Sequence, residues 1–518
     1  MHASRRTAVA GALLLAGAAG RARAQGATYE QLESFSYLLN EVQLNYVRSV
    51  GTSQLVRAAI EGMLHSLDPH SRFVSHEDND LWVGWEGGRV AGAGIALEDE
   101  DGRPTVAAVQ AGSPAAAVGV LPGDRVRALD GASVSGISAS DLQFRLLGPR
   151  GRVVRLLLER GPRYQPDTLT VAVTDDYLKP QSVSDARTLA PGVGYVRLAE
   201  FDVGAAKEVR DAAHRVLSGP RPRTLVLDLR GDPGGSLGSL VEVASLFFPK
   251  GVLIFRTQGR RQEMDSSYVT NGDGDLADTR LVVLIDAYTA SAAEALTGAL
   301  QDHDRALVLG RRSFGKALVQ RLYELPPFGD AVWLTVAYMY TPSGRLIQRR
   351  FEGLSLPQYY ELAGRGGAPE DTLATYKTDS GRTVRGGGGI EPDSTLPAAA
   401  AAPLWWSVAV DSNLVDVVAD SVAGAMATDP RPREAWLDAT AEWRERLLAP
   451  FLARVRGRLG AIVPPDSAQA GRIAELLAAR VAEVRWGADA ALELGIHNDP
   501  DVRAALARIL AGRAAPGR

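Results

Sequence analysis

A serine, a lysine and a glutamine in one segment of the chain could together carry out acyl transfer. Ser291 follows the uninterrupted apolar run Leu281–Ile285 and precedes the Ala- and Leu-rich run 292–301. This order predicts that Ser291 lies where a buried strand ends and a helix begins, and a helix N-terminus favours a developing negative charge. Lys316 and Gln320 follow a second short apolar run. Because a neutral lysine amine can take the proton of a serine hydroxyl, this chemistry requires no histidine.

The same residue types also have an ordinary structural explanation. A serine in front of a helix is usually an N-cap, and a lysine in a loop is usually solvated. Considered alone, Ser291 and Lys316 therefore leave both a catalytic and a structural role open.

The motif around these residues resembles the catalytic core of the carboxy-terminal processing proteases, the tail-specific serine peptidases of the S41 family. The resemblance implies that Ser291 is the nucleophile, that Lys316 is the general base and that Gln320 orients the lysine. Two positions depart from the usual pattern: Tyr288-Thr289 stands where Gly-Ser is common, and Ala293 stands where a second Ser is common. The nucleophile and the base are retained, while Tyr288 is expected to narrow the site. The matching positions are Ser291, Glu294, Gln301-Asp302-His303, Phe314-Gly315-Lys316 and Gln320.

A glycine-rich loop is expected to stabilise the oxyanion. Asp228–Gly235 reads Asp-Leu-Arg-Gly-Asp-Pro-Gly-Gly, which resembles the phrase that supplies oxyanion-hole N–H groups in the same protease family. The resemblance implies that Gly234 and Gly235 form this donor site, with the N–H of Ala292 as the second donor.

The same loop also fits a different catalytic motif. Gly234–Gly238 matches Gly-x-Ser-x-Gly, the nucleophile elbow of α/β-hydrolases, with Ser236 as the nucleophile. An elbow serine should follow its strand almost immediately, whereas residues 230–235 separate Ser236 from the apolar run before it. A helix cap is therefore the preferred interpretation of Ser236, and an esterase that uses Ser236 remains the alternative.

An earlier glycine-rich region alternates short apolar runs with two short helical segments. It resembles a PDZ domain in the phrases Gly92-Ala-Gly-Ile95, Gly112-Ser-Pro-Ala115 and Leu121-Pro-Gly-Asp124. The resemblance implies that Gly92, Ala93, Gly94 and Ile95 form the loop that binds a substrate's C-terminal carboxylate. The peptide would then add as an extra strand to the sheet edge.

Composition excludes several classes of protein. The formal net charge of −4 over 518 residues implies no nucleic-acid partner. The chain has no cysteine, which excludes disulfides and thiol catalysis. It has seven histidines and no His-x-x-x-His pair, so neither a metal nor another cofactor is expected.

The N-terminus has the pattern of an export signal. Arg5-Arg6 precede the Ala- and Leu-rich run 8–20, and Ala22-Arg-Ala24 is a plausible cleavage site. No later segment is apolar enough for a membrane helix. The pattern predicts a periplasmic protein whose signal peptide is cleaved near Ala24. Export could follow either the ordinary or the twin-arginine route.

The chain as a whole is predicted to be a multidomain α/β protein. The expected parts are a signal peptide, an N-terminal helical segment, a PDZ domain, a catalytic core of the ClpP/crotonase-like type, and a helical C-terminal region that begins with an alanine tract (398–402). The predicted function is that of an exported serine endopeptidase acting on protein or peptide substrates with a free C-terminus. A PDZ scaffold with an inactive core is a further alternative. The C-terminal region could pack on the core or self-associate. An adaptor protein as a further partner is left open. The predicted boundaries are 1–24, 25–82, 83–177, 178–397 and 398–518.

Overall fold

The computed structural model describes residues 29–76, 91–100, 103–110, 112–137, 139–160, 167–178, 181–217, 223–326, 329–364, 374–397, 403–426, 433–437 and 439–512. The predicted signal peptide and the alanine tract lie outside the described residues. The chain divides into two compact units, of which the first comprises residues 1–75 and 321–334 and the second comprises residues 76–320 and 335–518.

The first unit begins with the two helices that the apolar spacing predicts, α1 (29–45) and α2 (Thr52–His65). A short strand, β1 (Arg72–Val74), follows them and pairs antiparallel with residues 331–333. The buried carboxylate of Asp68 shapes the turn between α2 and β1, because it accepts hydrogen bonds from the N–H groups of residues 70 and 71. The predicted N-terminal helical segment is confirmed.

The second unit begins with a β-domain in which short strands alternate with two short helices, as predicted. One sheet has the order β3-β4-β5-β8-β9, with β6 paired to β5, and a smaller sheet has the order β10-β2-β7. Alternate residues of β8 are buried, which places one face of the sheet on an apolar core. Among the residues that the structure describes, β3 has one neighbour in its sheet, β4, and therefore forms an edge. The elements are β2 (Ala91–Gly92), β3 (Ile95–Glu100), β4 (Arg103–Val109), α3 (Pro114–Ala117), β5 (Arg125–Leu129), β6 (Ala132–Ser133), α4 (Ala139–Arg145), β7 (Leu147–Gly148), β8 (Val153–Arg160), β9 (Asp167–Thr174) and β10 (Asp176–Tyr177).

The following region contains a six-stranded sheet with the order β11-β12-β13-β16-β17-β22. Neighbouring strands from β12 to β22 run parallel, and β11 is antiparallel to β12. The elements are β11 (Val183–Ala190), β12 (Val193–Leu198), α5 (Ala205–Val216), β13 (Thr224–Asp228), α6 (Leu237–Phe247), β14 (Leu253–Gly259), a 3₁₀ turn (Gln262–Met264), β15 (Ser266–Val269), β16 (Arg280–Ile285), α7 (Ala292–Asp302), β17 (Ala306–Gly310), β18 (Leu318–Leu325), β19 (Asp330–Tyr340), α8 (Leu356–Gly364), β20 (Thr375–Lys377), β21 (Thr383–Arg385) and β22 (Ser394–Thr395).

Both faces of this sheet are covered, which explains why its central strands are uninterrupted apolar runs. On one face, Leu225 and Leu227 of β13 join an apolar core with residues of α5, α6 and α7. On the other face, Val226 joins a core that includes Val502 and Ala505 from the C-terminal region. After α6, the strands β14 and β15 form an antiparallel ribbon.

The C-terminal region is helical, as predicted. Its own core contains Trp443, Phe451 and Leu477, and its last helices pack on the six-stranded sheet. Packing on the core, one of the two predicted roles, is therefore observed. Asp499 caps the last helix, whose first residue is Pro500, as the sequence indicates. The helices are α9 (Trp406–Asp411), α10 (Leu414–Ala425), α11 (Arg433–Leu437), α12 (Thr440–Trp443), α13 (Ala449–Leu459, after a π-helical turn at Arg444–Leu448), α14 (Ser467–Trp486), α15 (Ala488–Asn498) and α16 (Pro500–Leu510).

Candidate active site

Three loops meet at the carboxyl ends of the adjacent parallel strands β13, β16 and β17, the edge at which open α/β sheets commonly bind ligands. The loop after β16 joins the loop after β13 through the N–H of Ala290, which donates to Asp232 O at 2.9 Å. It joins the loop after β17 through the N–H of Phe314, which donates to Thr289 O at 2.9 Å. The predicted nucleophile, the predicted base and the predicted oxyanion loop thus come from neighbouring strand ends.

Ser291 has a strained backbone at the junction between the loop and α7. Its φ of 54° and ψ of −116° lie in a region that L-residues rarely occupy. Such strain costs on the order of 1–3 kcal/mol and persists where the surrounding structure fixes it. The residue is partly exposed, whereas Ala292 and the helix that follows are buried. Ser291 is therefore held in an unusual conformation beside solvent.

The loop that leads to Ser291 is fixed by Asp286. Its Oδ1 accepts hydrogen bonds from the N–H groups of Gly231, Tyr288 and Thr289, at 3.0, 3.0 and 3.1 Å. The Thr289 hydroxyl donates to Leu229 O at 2.8 Å. The side chain of Tyr288, which was expected to narrow the site, is 65% exposed.

The carboxylate of Glu294 links the predicted nucleophile to the predicted base. Its Oε2 accepts from the N–H of Ser291 at 3.0 Å and from the N–H of Lys316 at 2.8 Å. Its Oε1 accepts from the Ser313 hydroxyl at 2.5 Å and from the N–H of Gly315 at 2.7 Å. Because one oxygen atom binds both backbone N–H groups, Ser291 and Lys316 are held next to each other.

Glu294 is completely buried, and burial raises its pKa to about 7, although its four hydrogen-bond donors oppose this shift. Glu294 matches the family motif, but no role of its own was predicted for it from the sequence. A signal was nevertheless present, because Ser291-Ala-Ala-Glu294 has the spacing of a capping box.

The predicted oxyanion loop lies directly against Ser291. A Cβ added to Gly234, whose φ is +103°, would lie 2.7 Å from Ala292 N and 2.8 Å from Ser291 Cβ. The N–H of Gly234 itself donates to Asp232 Oδ1 at 2.8 Å. In the described part of the chain, the N–H groups of Gly235 and Ala292 have no hydrogen-bond acceptor. These two N–H groups therefore remain available as donors, whereas the N–H of Gly234 is used within its own loop and Gly234 allows the loop to approach Ser291 closely.

A group of acidic side chains lies behind the oxyanion loop. Asp232 is buried, which raises its pKa to about 8, and nearby Glu200 and Asp202 contribute to this shift. Burial, followed by the charge of Asp202, raises the pKa of Glu200 to about 7. Burial therefore favours the protonated form of the Asp232 carboxyl group, whose Oδ1 accepts from the N–H of Gly234.

Other candidate residues occupy the following positions. Gln320 Nε2 donates to Leu318 O at 3.1 Å and to Thr335 Oγ1 at 3.2 Å. Ser236 is the N-cap of α6 and has an ordinary backbone conformation, with φ −66° and ψ 132°. His303 is the nearest histidine in sequence to α7, and its ring nitrogens lie at 2.7 Å from Asp379 Oδ2 and 2.8 Å from Leu253 O.

In the β-domain, the predicted carboxylate-binding residues form the turn between β2 and β3. Gly92 ends β2, Ile95 begins β3, and both Ala93 and Ile95 are buried. Gly94 has a φ of +76°, and a Cβ there would lie 2.2 Å from Ser113 Cβ, so the turn requires glycine. The Ala93 N–H points to Leu146 O at 3.4 Å.

The described residues contain neither a candidate metal cluster nor a candidate membrane span. No group of three His, Asp or Glu side chains within those ranges could hold a metal ion. Among the helices in the same ranges, none is long and apolar enough to cross a membrane.

Comparison with known proteins identifies both the β-domain and the core. The model of peptidase family S41 matches residues 192–356, and a PDZ-domain model matches residues 105–160. The carboxy-terminal-processing protease of Bartonella bacilliformis is 35% identical over 325 residues, which cover 62% of this chain and 73% of that protein. The carboxyl-terminal-processing protease of Synechocystis sp. is 35% identical over 291 residues, which cover 55% of this chain and 66% of that protein. A solved photosystem II D1 C-terminal processing protease is 27% identical, with a TM-score of 0.38, and the match covers 63% of this chain and 90% of that one. The chain therefore belongs to the carboxy-terminal-processing proteases, the PDZ-containing serine-type peptidases of family S41.

Proposed function

We propose that this serine peptidase cleaves its substrates with a Ser291–Lys316 dyad. The observation that carries the proposal is the Glu294 carboxylate, one oxygen of which binds the backbone N–H groups of both residues. Further support comes from the strained, partly exposed backbone of Ser291 at the end of a buried parallel strand.

In this mechanism the neutral amine of Lys316 takes the proton of Ser291 Oγ as that oxygen attacks the scissile carbonyl carbon. The negative charge that develops on the carbonyl oxygen is stabilised by the N–H groups of Gly235 and Ala292, next to the N-terminus of α7. The ammonium of Lys316 then returns the proton to the leaving amine, and an acyl-enzyme on Ser291 remains. Water that is activated by the same amine hydrolyses the acyl-enzyme.

Gln320 is proposed to orient Lys316. It lies four residues after the lysine, and its amide carries no charge that would stabilise the ammonium form. Its donor contacts with Leu318 O and Thr335 Oγ1 fix its side chain at the start of β18, the strand that begins two residues after Lys316. Gln320→Ala should lower kcat without removing labelling of the serine.

The test of the nucleophile is labelling with a fluorophosphonate, followed by peptide mapping. Ser291 should carry the label, and Ser291→Ala should abolish both labelling and proteolysis in a folded protein. Ser236→Ala is the matched control, because Ser236 caps a helix in the adjacent loop. A label on Ser236, or loss of activity in Ser236→Ala alone, would instead support the esterase. A folded protein with no labelled serine would support an inactive scaffold.

We further propose that the PDZ domain recognises the free C-terminus of a protein or peptide substrate. The turn Gly92–Ile95 precedes an edge strand, the arrangement that allows a peptide to add to a sheet. Amidation removes the charge of the terminal carboxylate, so an amidated substrate should bind less tightly and be cleaved more slowly. Equal cleavage of the amidated and free-acid forms of one peptide would refute this recognition.

The protein is proposed to act in the periplasm after removal of its signal peptide near Ala24. The sequence pattern of residues 5–24 supports this proposal. N-terminal sequencing of protein from its native host should begin at or near Gln25. A sequence that begins at Met1 would refute both export and the compartment.

A further inference from the structure

The exposed edge of the PDZ sheet is occupied by a side chain of the same domain. Gln143 lies on α4, and its Nε2 donates to Ile95 O at 2.7 Å. Its Oε1 accepts from the N–H of Leu97 at 2.8 Å. Both backbone groups belong to β3, the edge strand of the larger sheet.

A primary amide in this position imitates one residue of an added strand. Every second residue of a strand that pairs with an edge turns one N–H donor and one C=O acceptor towards that edge. Gln143 presents the same two groups to Ile95 and Leu97. Ile95 O and Leu97 N, two hydrogen-bonding groups of β3 on this side, are therefore satisfied by α4 when no peptide is bound.

The site of this contact is also the proposed site of substrate binding. Ile95 is the last residue of the proposed carboxylate-binding turn, and Leu97 lies two residues further along β3. A peptide whose carboxylate binds at Gly92–Ile95 would need Ile95 O and Leu97 N for its first strand hydrogen bonds. The peptide and Gln143 consequently compete for the same two atoms.

We propose that Gln143 is a specificity-determining residue that closes the β3 edge and must be displaced by the C-terminal strand of a substrate. This proposal rests on recognition of a free C-terminus by the PDZ domain. Displacement of Gln143 breaks two hydrogen bonds at once. A C-terminal tail compensates for this loss, because it forms both strand hydrogen bonds and also binds through its terminal carboxylate. An internal segment, which has no carboxylate to bind, is excluded.

The first test is peptide binding to the full chain in a Ser291→Ala background, so that the peptide is not cleaved. Gln143→Leu retains a side chain of similar size and makes neither hydrogen bond. It should bind a fluorescent free-acid peptide about tenfold more tightly than the protein with Gln143, as expected for two net hydrogen bonds that no longer compete. Gln143→Glu retains an acceptor for Leu97 N but adds a negative charge next to the bound carboxylate, so it should bind more weakly.

The amidated form of the same peptide separates this proposal from the proposed function. Suppose that the free-acid peptide binds more tightly than the amidated peptide, but has the same affinity for Gln143→Leu as for the protein with Gln143. Tail recognition then stands, and the role of Gln143 is refuted. If acid and amide bind equally to each protein, tail recognition fails. In that case, tighter binding of both peptides to Gln143→Leu supports an edge closed by Gln143, and equal binding refutes it.

Hydrogen exchange provides a readout that does not depend on affinity. The Leu97 N–H should be protected in the free protein and should exchange faster in Gln143→Leu, and saturating free-acid peptide should restore its protection. In the active enzyme, the same variant should lower KM for a tailed substrate and leave kcat unchanged. Slow exchange of Leu97 in the free Gln143→Leu protein would refute the proposal.

Discussion

Substitution of Glu294 by glutamine should separate the nucleophile from the base with the smallest change in shape. Each carboxylate oxygen accepts two hydrogen bonds, from Ser291 N and Lys316 N on one side and from Ser313 Oγ and Gly315 N on the other. An amide has one oxygen and one NH₂, so it retains one pair of these bonds and turns a donor towards the other pair. In either orientation at least one buried backbone N–H faces another donor.

The magnitude follows from these contacts. Loss of a hydrogen bond to a charged acceptor costs about 1.5–3 kcal/mol, and a buried N–H without a partner costs about 1–3 kcal/mol. A total of roughly 3 kcal/mol, expressed in the transition state, corresponds to about a hundredfold decrease in kcat, since about 1.4 kcal/mol corresponds to a factor of ten. KM should change little, because the substrate does not contact Glu294, which is completely buried.

The assay is steady-state cleavage of a short free-acid peptide, with Thr297→Val as the matched control. Thr297 is also buried on α7, one turn after Glu294, and its hydroxyl donates to Ala293 O at 2.7 Å. Its replacement should cost about 1 kcal/mol of stability and leave kcat unchanged. A kcat within about threefold of the wild type in Glu294→Gln, or an equal loss in Thr297→Val, would refute the positioning role.

The raised pKa of Glu294 adds a pH dependence that has opposite signs for stability and activity. The carboxyl group titrates near pH 7 in the folded protein and near 4.5 when unfolded. Between these values the folded state binds more protons, so the contribution of this group to stability is complete below about pH 4.5 and is lost as the pH rises to 7. The loss is about 3 kcal/mol for a shift of this size. Activity should instead rise through pH 7, because the ionised carboxylate accepts all four hydrogen bonds. Urea unfolding of Ser291→Ala with and without Glu294→Gln, at pH 5 and pH 7.5, measures the first effect.

Three further substitutions test other parts of the site. Gly234→Ala should fold but lose at least about a hundredfold in kcat, because the new Cβ would lie 2.7 Å from Ala292 N; near-normal kcat would exclude Gly234 from a close approach to the oxyanion. Lys316→Arg should be inactive, because a guanidinium remains protonated and cannot act as the base; retained proteolysis would show that another group takes the proton. Asp501→Asn should destabilise the protein by about 2 kcal/mol and lower kcat, because Asp501 binds Arg230 of the oxyanion loop at 3.0 Å. Asp489→Asn, at an exposed ion pair of the same C-terminal region, is its control and should have little effect in urea unfolding and peptide cleavage.

Much of the fold follows from local sequence patterns. The run Leu281–Ile285 is buried on both faces of a sheet, so every residue is apolar and its strand is evident from sequence. Buried and more exposed residues alternate along strands of the PDZ domain, and its turns require glycine at positions such as Gly94. The position of Ser291 between a buried strand and a helix was predictable because these features follow one another directly, whereas its role as nucleophile is what the family resemblance implies. These features depend on neighbours in sequence, which is why they were predictable.

The contacts that the sequence did not indicate join residues far apart in the chain. Gln143 binds β3 across 46 and 48 positions. Arg230 binds Asp499 across 269 positions, which brings the C-terminal region to the oxyanion loop. Neither pair belongs to a motif with a fixed spacing, so only the tertiary structure brings its members together.

The same principle explains how the catalytic loops retain their shape without strand partners. Backbone N–H groups in such loops must find acceptors when they are buried, and here acidic side chains supply them. Asp286 accepts from three N–H groups, Glu294 accepts from three, and Asp228 and Asp232 accept from one each. Because a carboxylate has room for about four donors, one side chain can fix several loop residues at once. This arrangement can hold the unfavourable φ of Ser291, since rotation of its peptide would break the bond to Glu294 that also positions Lys316. The strain at the nucleophile and the burial of the acidic groups are therefore parts of one structural solution.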